Sequence, residues 1–507
     1  MGAEELLAMI GLVIAIIAFV SEKNREYLVL KFSNSDVLWL LLGFAFLHFL
    51  VSFDWLLENW CKRLSYFTHK KGIPAFAWAY LLTLVLIALT CYKVFFAFFP
   101  KSNKHKVINF YEKLNLNMEQ PFLLNLLEKF HKKDIIDYLD KYSKVEVDVE
   151  SEFDYEKKFT EAYKKTINTN RLDYASAVYN KIILDEVFLS NVANVYPYFF
   201  TDFISKLNKK SFSNEEFINK YFSIMMKSKN HHFFREIRNT QNQGEGSKYR
   251  LEKEHKILLS LFKDIKVSEN NHVWQAIANS AIWEIEEESE KPNSFFRKAF
   301  DERDKVELWN TRIMIAIHFF DIMIREAIFQ KATWHMWLFY YESFVRVLLE
   351  NIPAEDIAQH DINHYQPTIN HKLIQEIIEN QCDWLRVAEN LKVENLVIDT
   401  CKCIGQCLYL IALSSKISEA VKIEAFDKVL LTYFKFSERE KTELQIKWLE
   451  KALTEPIMGF NITSGDSHRN KSNFFKALSL AWGKFDKVPY EYNDSIQTFE
   501  EKIINTF

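Results

Sequence analysis

The chain has 507 residues, more than one ordinary domain holds, and two or three domains are expected. Hydrophobic residues at 49% and charged residues at 26% give a globular balance, and the net charge of −4 argues against a basic nucleic-acid surface, so no sequence-specific nucleic-acid partner is expected. Sheets and tight turns use Gly and Pro, which helix interiors exclude; with only 10 Gly and 9 Pro, and aromatic residues at 15%, the composition predicts an all-α protein.

In chain order, residues 1–100 read as a membrane domain with three apolar helices, at about 6–20, 37–57 and 75–99. A helix needs about 20 apolar residues to cross the hydrocarbon core, which the second and third stretches supply. The first is shorter, but its acidic start, Glu4-Glu5, and the absence of a small-residue cleavage site after Val20 favour a retained helix over a signal peptide. Leu6 stands where a myristoylation signal needs Ser or Thr. Within this helix Ala8, Gly11, Ala15 and Ala18 form a stripe of small residues suited to close helix packing, within the monomer or between copies.

The second helix carries His48 and Ser52 four residues apart, with Asp54 close by. An ionisable group at mid-span is costly unless it meets a partner or water, so these three are the intramembrane candidates for a polar path. The alternative is a neutral His48 imidazole hydrogen-bonded to a neighbouring helix. Orientation follows from short-loop cations. Lys23, Arg25, Lys31, Lys101, Lys104 and Lys106 lie on one side, and Lys62, Arg63, Lys70 and Lys71 on the other. The excess on the first side places the C-terminal body in the cytoplasm of a multi-pass inner or cell-membrane protein. Six cysteines without a disulfide-like framework agree with a reducing compartment.

Residues 101–120 read as a basic juxtamembrane linker whose Lys101, Lys104 and Lys106 face lipid headgroups. Two helical subdomains follow, at 121–240 and 249–507, the second with an aromatic core. The whole body is an α-helical bundle or an irregular helical repeat. Leu123, Leu126, Leu127 and Phe130 share a helical face after Pro121, and Phe426, Val429, Leu430 and Tyr433 repeat the spacing. Ser213 with Glu216 and Ser437 with Glu440 match a capping box at a helix start. "RIMIAIHFFDIMIREAIF", from Arg312, is interrupted or bounded by Arg312, Asp321 and Arg325, which makes it a buried core helix; the aromatic segment after Trp334 packs beside it.

No reaction is written plainly in the residues. Gly is too sparse for a phosphate loop, and no cofactor is expected. His360, His364 and His371 cluster in "HDINHYQPTINH", and the first two have the i, i+4 spacing of metal ligands, but Pro367 and the polar surroundings read as a solvated loop. Cys403 and Cys407 share a face within an apolar run and read as core residues. Arg312 and His318, in "RIMIAIH", resemble the Arg-x4-6-His motif of the all-helical HEPN ribonucleases, although Ile313 replaces the polar residue that usually follows the Arg. That resemblance implies a nuclease with those two residues as catalytic candidates.

These observations lead to a membrane-anchored sensor or effector that leans away from being an enzyme. Its body binds a ligand or a protein partner, and its membrane helices respond by clustering or permeabilising the bilayer, as bacterial antiviral or stress effectors do in outline. Membrane lipids and a protein partner or second copy are the expected partners. A membrane-tethered scaffold is the alternative, and a HEPN-like ribonuclease the next.

Overall fold

A computed structural model describes residues 21–52, 75–147, 170–207, 212–229, 231–241, 251–291, 293–333, 336–352, 368–389, 391, 393–439, 442–455, 467–487 and 495–504. Among these, no strand forms; Ala299 and Thr368 make an isolated antiparallel bridge between otherwise helical elements. The protein is all-helical. It divides into two compact units, Met1–Phe188 and Leu189–Phe507, so the boundary falls well before the Gly-containing break after Gln241.

The first unit contains α1 (Glu22–Leu30), α2 (Asn34–Val51), α3 (Ala75–Phe95), α4 (Lys104–Leu116), α5 (Gln120–Phe130), α6 (Lys132–Val147) and α7 (Asn170–Val178). A capping box starts α2: the Asp36 N–H donates to Ser33 Oγ at 3.1 Å, and the Asp36 carboxylate accepts from the Ser33 N–H at 2.8 Å. The helix then packs against α3. Gly43 permits the approach, because a Cβ there would stand 2.9 Å from a Leu86 methyl carbon. Both helices are long and apolar enough to cross a membrane, yet only 6% of each apolar window is buried. Trp39, Leu41 and Phe46 on α2, and Trp78, Leu84 and Tyr92 on α3, face outward. A surface of this kind is foreign to a monomer in water.

Residues 101–120, expected as a linker, instead form a short 3-10 turn and α4. The segment carries Val107, Phe110, Tyr111 and Leu114 at helical spacing and buries them in the unit's core. Pro121 occupies the first turn of α5, where its missing N–H costs nothing, and Leu123, Leu126 and Leu127 are buried as their spacing predicts.

The second unit contains α8 (Phe212–Lys227), α9 (His232–Gln241), α10 (Lys256–Phe262), α11 (Val273–Ser289), α12 (Arg312–Gln330), α13 (Tyr340–Glu350), α14 (Ile369–Ala388), α15 (Glu394–Leu413), α16 (Glu419–Ser437), α17 (Glu443–Thr454) and α18 (Ser467–Lys484), along with other helical pieces. Most of them pack in two layers. One row runs α8, α11, α12, α14, α16, α18, each against the next; the other runs α13, α15, α17. From α12 onward, contacts within a row mostly skip the sequence neighbour, which is met across the rows.

α12 is buried along nearly its whole length, so the charges that interrupt its apolar run mark a core helix. Phe320 meets Tyr340, Tyr341 and Phe344, with ring centroids 5.7 to 6.2 Å apart, which puts the aromatic segment against it. α15 is a third helix with span-like length and hydropathy, but 72% of it is buried inside this unit. Gly405 on α15 lets α17 come close: a Cβ there would lie 3.1 Å from the Ala452 carbonyl oxygen. Ser437, expected at a helix start, ends α16, and its hydroxyl donates to the Phe434 carbonyl at 2.7 Å. The next helix begins at Glu443, and the Thr442 hydroxyl before it donates back to the Phe436 carbonyl at 2.6 Å.

Candidate functional site at the foot of the hairpin

The start of α2 and the end of α3 lie together, and the chain segments at this foot are stitched by side chains. Lys31, in the turn between α1 and α2, is 0% exposed. Its ammonium donates to the Ala97 carbonyl at 2.6 Å and lies 3.7 Å from the Phe130 ring centroid, 4.4 Å from Phe99 and 5.5 Å from Tyr27. Cation–π attraction is strongest where, as here, water is excluded. Asn103, also buried, donates from Nδ2 to the Leu30 carbonyl at 3.0 Å and to the Phe32 carbonyl at 2.8 Å. These bonds satisfy carbonyls at the end of α1 that would otherwise lack a partner. One helical turn into the hairpin, Lys93 of α3 pairs with Asp36 of α2 at 2.9 Å.

The cage extends inward from Lys31. His131, between α5 and α6, is wholly buried, meets the Tyr111 hydroxyl at 3.0 Å from Nε2, and stacks on Phe99 with an interplanar angle of 5°. Burial and the Lys31 charge push its pKa down to about 3, so the ring is neutral. The Tyr174 hydroxyl donates to the Pro100 carbonyl at 2.8 Å. Lys31 itself is pushed down to about 8, first by burial and then by repulsion from Lys129. Among the described residues no carboxylate stands within ion-pair distance of it. The arrangement fixes the ends of two outward-facing apolar helices to the packed helices α4 to α7.

The residues singled out from sequence lie as follows. His48 is exposed on α2, and Ser52 ends that helix with its N–H on the His48 carbonyl at 3.0 Å. Asp54, and the stripe of Ala8, Gly11, Ala15 and Ala18, lie outside the described residues. A groove of about 630 Å³ runs between α2 and α3, lined by Trp39, Gly43, Phe46, Leu86 and Leu89, with Asp36 and Lys93 also on its wall. His48 does not line it. Lys101 is exposed and 3.5 Å from Asp173, and Lys106 is exposed. Lys104 is half-buried at the start of α4.

Arg312 and His318 sit on α12 but do not meet. Six residues turn a helix through about 600°, which sends the two side chains to different faces. His318 is 4% exposed, stacked 4.2 Å from Trp309 and 4.0 Å from Glu376. The Arg312 and Ile313 N–H groups are capped by Glu284, the second at 3.1 Å. His371 is buried in the capping box that starts α14: its Nδ1 accepts the Thr368 N–H at 3.2 Å. His360 and His364 lie outside the described residues. The Gln381 amide approaches Cys403 Sγ at 3.2 Å and Cys407 Sγ at 3.5 Å, and burial pushes the Cys403 thiol up.

Sequence reading missed Lys31 as a site because it counted the residue only as a topology charge. The usable signal was Tyr27 one turn before it, together with the Phe98-Phe99-Pro100 run that ends the third apolar stretch. Comparison with known protein families, curated proteins and solved structures finds no match to this chain.

Proposed function

We propose that this protein is a membrane-anchored sensor or effector whose α2–α3 hairpin crosses the bilayer and whose helical body lies in the cytoplasm. The observation that carries the reading is the hairpin itself. Two packed apolar helices expose large side chains along nearly their full length, while their common foot is tied into the packed part of the first unit. Such a surface is stable in hydrocarbon and costly in water. The Lys and Arg balance around the foot supports a cytoplasmic body. In this reading the body binds a ligand or protein partner, and the foot passes the change to the hairpin, which clusters or permeabilises the membrane.

A membrane-tethered scaffold is the second reading, favoured by the layered helix packing of the second unit, which presents a long surface for protein partners. The burial of His318 and its separation from Arg312 lend no support to a ribonuclease.

The first two readings separate on the membrane potential of cells making the full chain or its His48→Leu form at matched inserted amounts. His48 is exposed on α2, so Leu suits hydrocarbon better and leaves insertion intact. Loss of depolarisation per inserted molecule in the variant supports permeabilisation. An equal value in both removes His48 from any path, and absence of depolarisation in either leaves the scaffold.

A further inference from the structure

Buried lysines ordinarily have a carboxylate to answer their charge, and this one has a carbonyl and three aromatic rings. We propose that the Lys31 cage is a spring-loaded joint: the charged side chain is held there against its own solvation, and its departure frees the foot of the α2–α3 hairpin from the body. The inference deepens the sensor reading by naming the element that moves.

Every element around the cage bears on this. From α1 come Tyr27 and, further along, Lys23 and Glu26; Lys23 pairs with Glu119 and Glu26 with Lys113 at 2.9 Å. α5 contributes Lys129, whose charge repels Lys31. α6 brings Asp134, which pairs with Arg171 of α7 at 3.7 Å, and that guanidinium lies over Phe98. The acids Glu26, Glu119 and Asp134 are thus all engaged elsewhere. Burial raises the hydroxyls of Tyr27, Tyr111 and Tyr174, and His131 is already neutral. Between pH 7 and pH 9 the group in the cage that changes charge is therefore Lys31.

The direction follows from linkage. A lysine whose closed-state pKa is depressed, from 10.5 to about 8, favours the caged form more as pH rises through that value. Protonation favours departure. Opening should then be about tenfold less frequent at pH 9 than at pH 7. An uncharged side chain of similar length should hold the joint shut at both.

The test is hydrogen exchange of the detergent-purified full chain and its Lys31→Met form, read on residues 27–33 and 96–103 and corrected for intrinsic rates. The expected result is roughly tenfold slower opening of these segments at pH 9 than at pH 7 in the natural chain. The variant should be slow at both pH values, with α12 unchanged throughout. A flat response in the natural chain, or a variant that opens faster at pH 7, overturns the joint and makes Lys31 a simple strut. Should the variant fail to fold, the pH series of the natural chain decides alone. Because the reading is taken in detergent, it stands or falls separately from whether the hairpin crosses a membrane.

Discussion

The ionic cluster inside the second unit gives a sharp test of how this fold is held. Arg325 donates from Nε to Asp321 at 2.9 Å, and the same carboxylate oxygen accepts the Trp384 indole N–H at 2.8 Å. The guanidinium lies 3.8 Å from Asp383, which also pairs with Arg386. Asp321 is 1% exposed and Arg325 6%. Replacing Arg325 by Met keeps the packing of the stem but takes from the buried Asp321 carboxylate its guanidinium partner, leaving the Trp384 indole N–H on the same oxygen. Breaking a buried pair in this way costs about 3–5 kcal/mol. The double variant Asp321→Asn, Arg325→Met removes both charges and keeps an acceptor for Trp384, so it should recover most of that loss. Chemical unfolding of the detergent-purified chain, followed by tryptophan fluorescence, measures both. A single variant within about 1 kcal/mol of the natural chain would refute the reasoning, as would a double variant no better than the single.

Glu236, buried beneath α10, accepts the Ile257 and Leu258 N–H groups at 3.0 Å each, and burial raises its pKa from 4.5 to about 7. Its contribution is therefore fully present below about pH 4.5 and lost as pH rises through 7. Local opening of α10 should become about seventyfold more frequent from pH 5 to pH 8, and Glu236→Gln should flatten that slope in hydrogen exchange. Gly405→Val should destabilise the second unit by about 1–3 kcal/mol in a thermal melt, because its Cβ meets the Ala452 backbone rather than a movable side chain. Asp36→Ala keeps the bond from the residue-36 N–H to Ser33 Oγ but removes the carboxylate half of the capping box and the Lys93 pair; hydrogen exchange at the first turn of α2 should show a loss of about 1 kcal/mol.

Much of the architecture was legible because it is written in periodicity and composition. Scarce Gly and Pro gave the all-helical chain, and the charges in α12 told a core helix from a span. The two hairpin helices followed from length and hydropathy alone. The foot was not legible, because its parts are far apart in sequence: Lys31, Phe99, Phe130 and His131 meet only once α1 packs on α5 and the segment after α3 turns back. A lysine flanking an apolar stretch looks the same in sequence whether it faces headgroups or a ring of aromatics. The α4 segment misled for a related reason. Its lysines read as a linker, while its apolar face shows only at the helical spacing of Val107, Tyr111 and Leu114.

The central claim is that the hairpin crosses a membrane from a body on the cytoplasmic side, and one accessibility measurement tests it most directly. An epitope is placed between residues 53 and 74, in the connection from α2 to α3, and a second after Phe507; both are probed with antibody on intact and on permeabilised cells. The account requires the first epitope to be reached on intact cells and the second only after permeabilisation. Both epitopes reached under the same condition, or a chain released from membranes by alkaline carbonate, would contradict it.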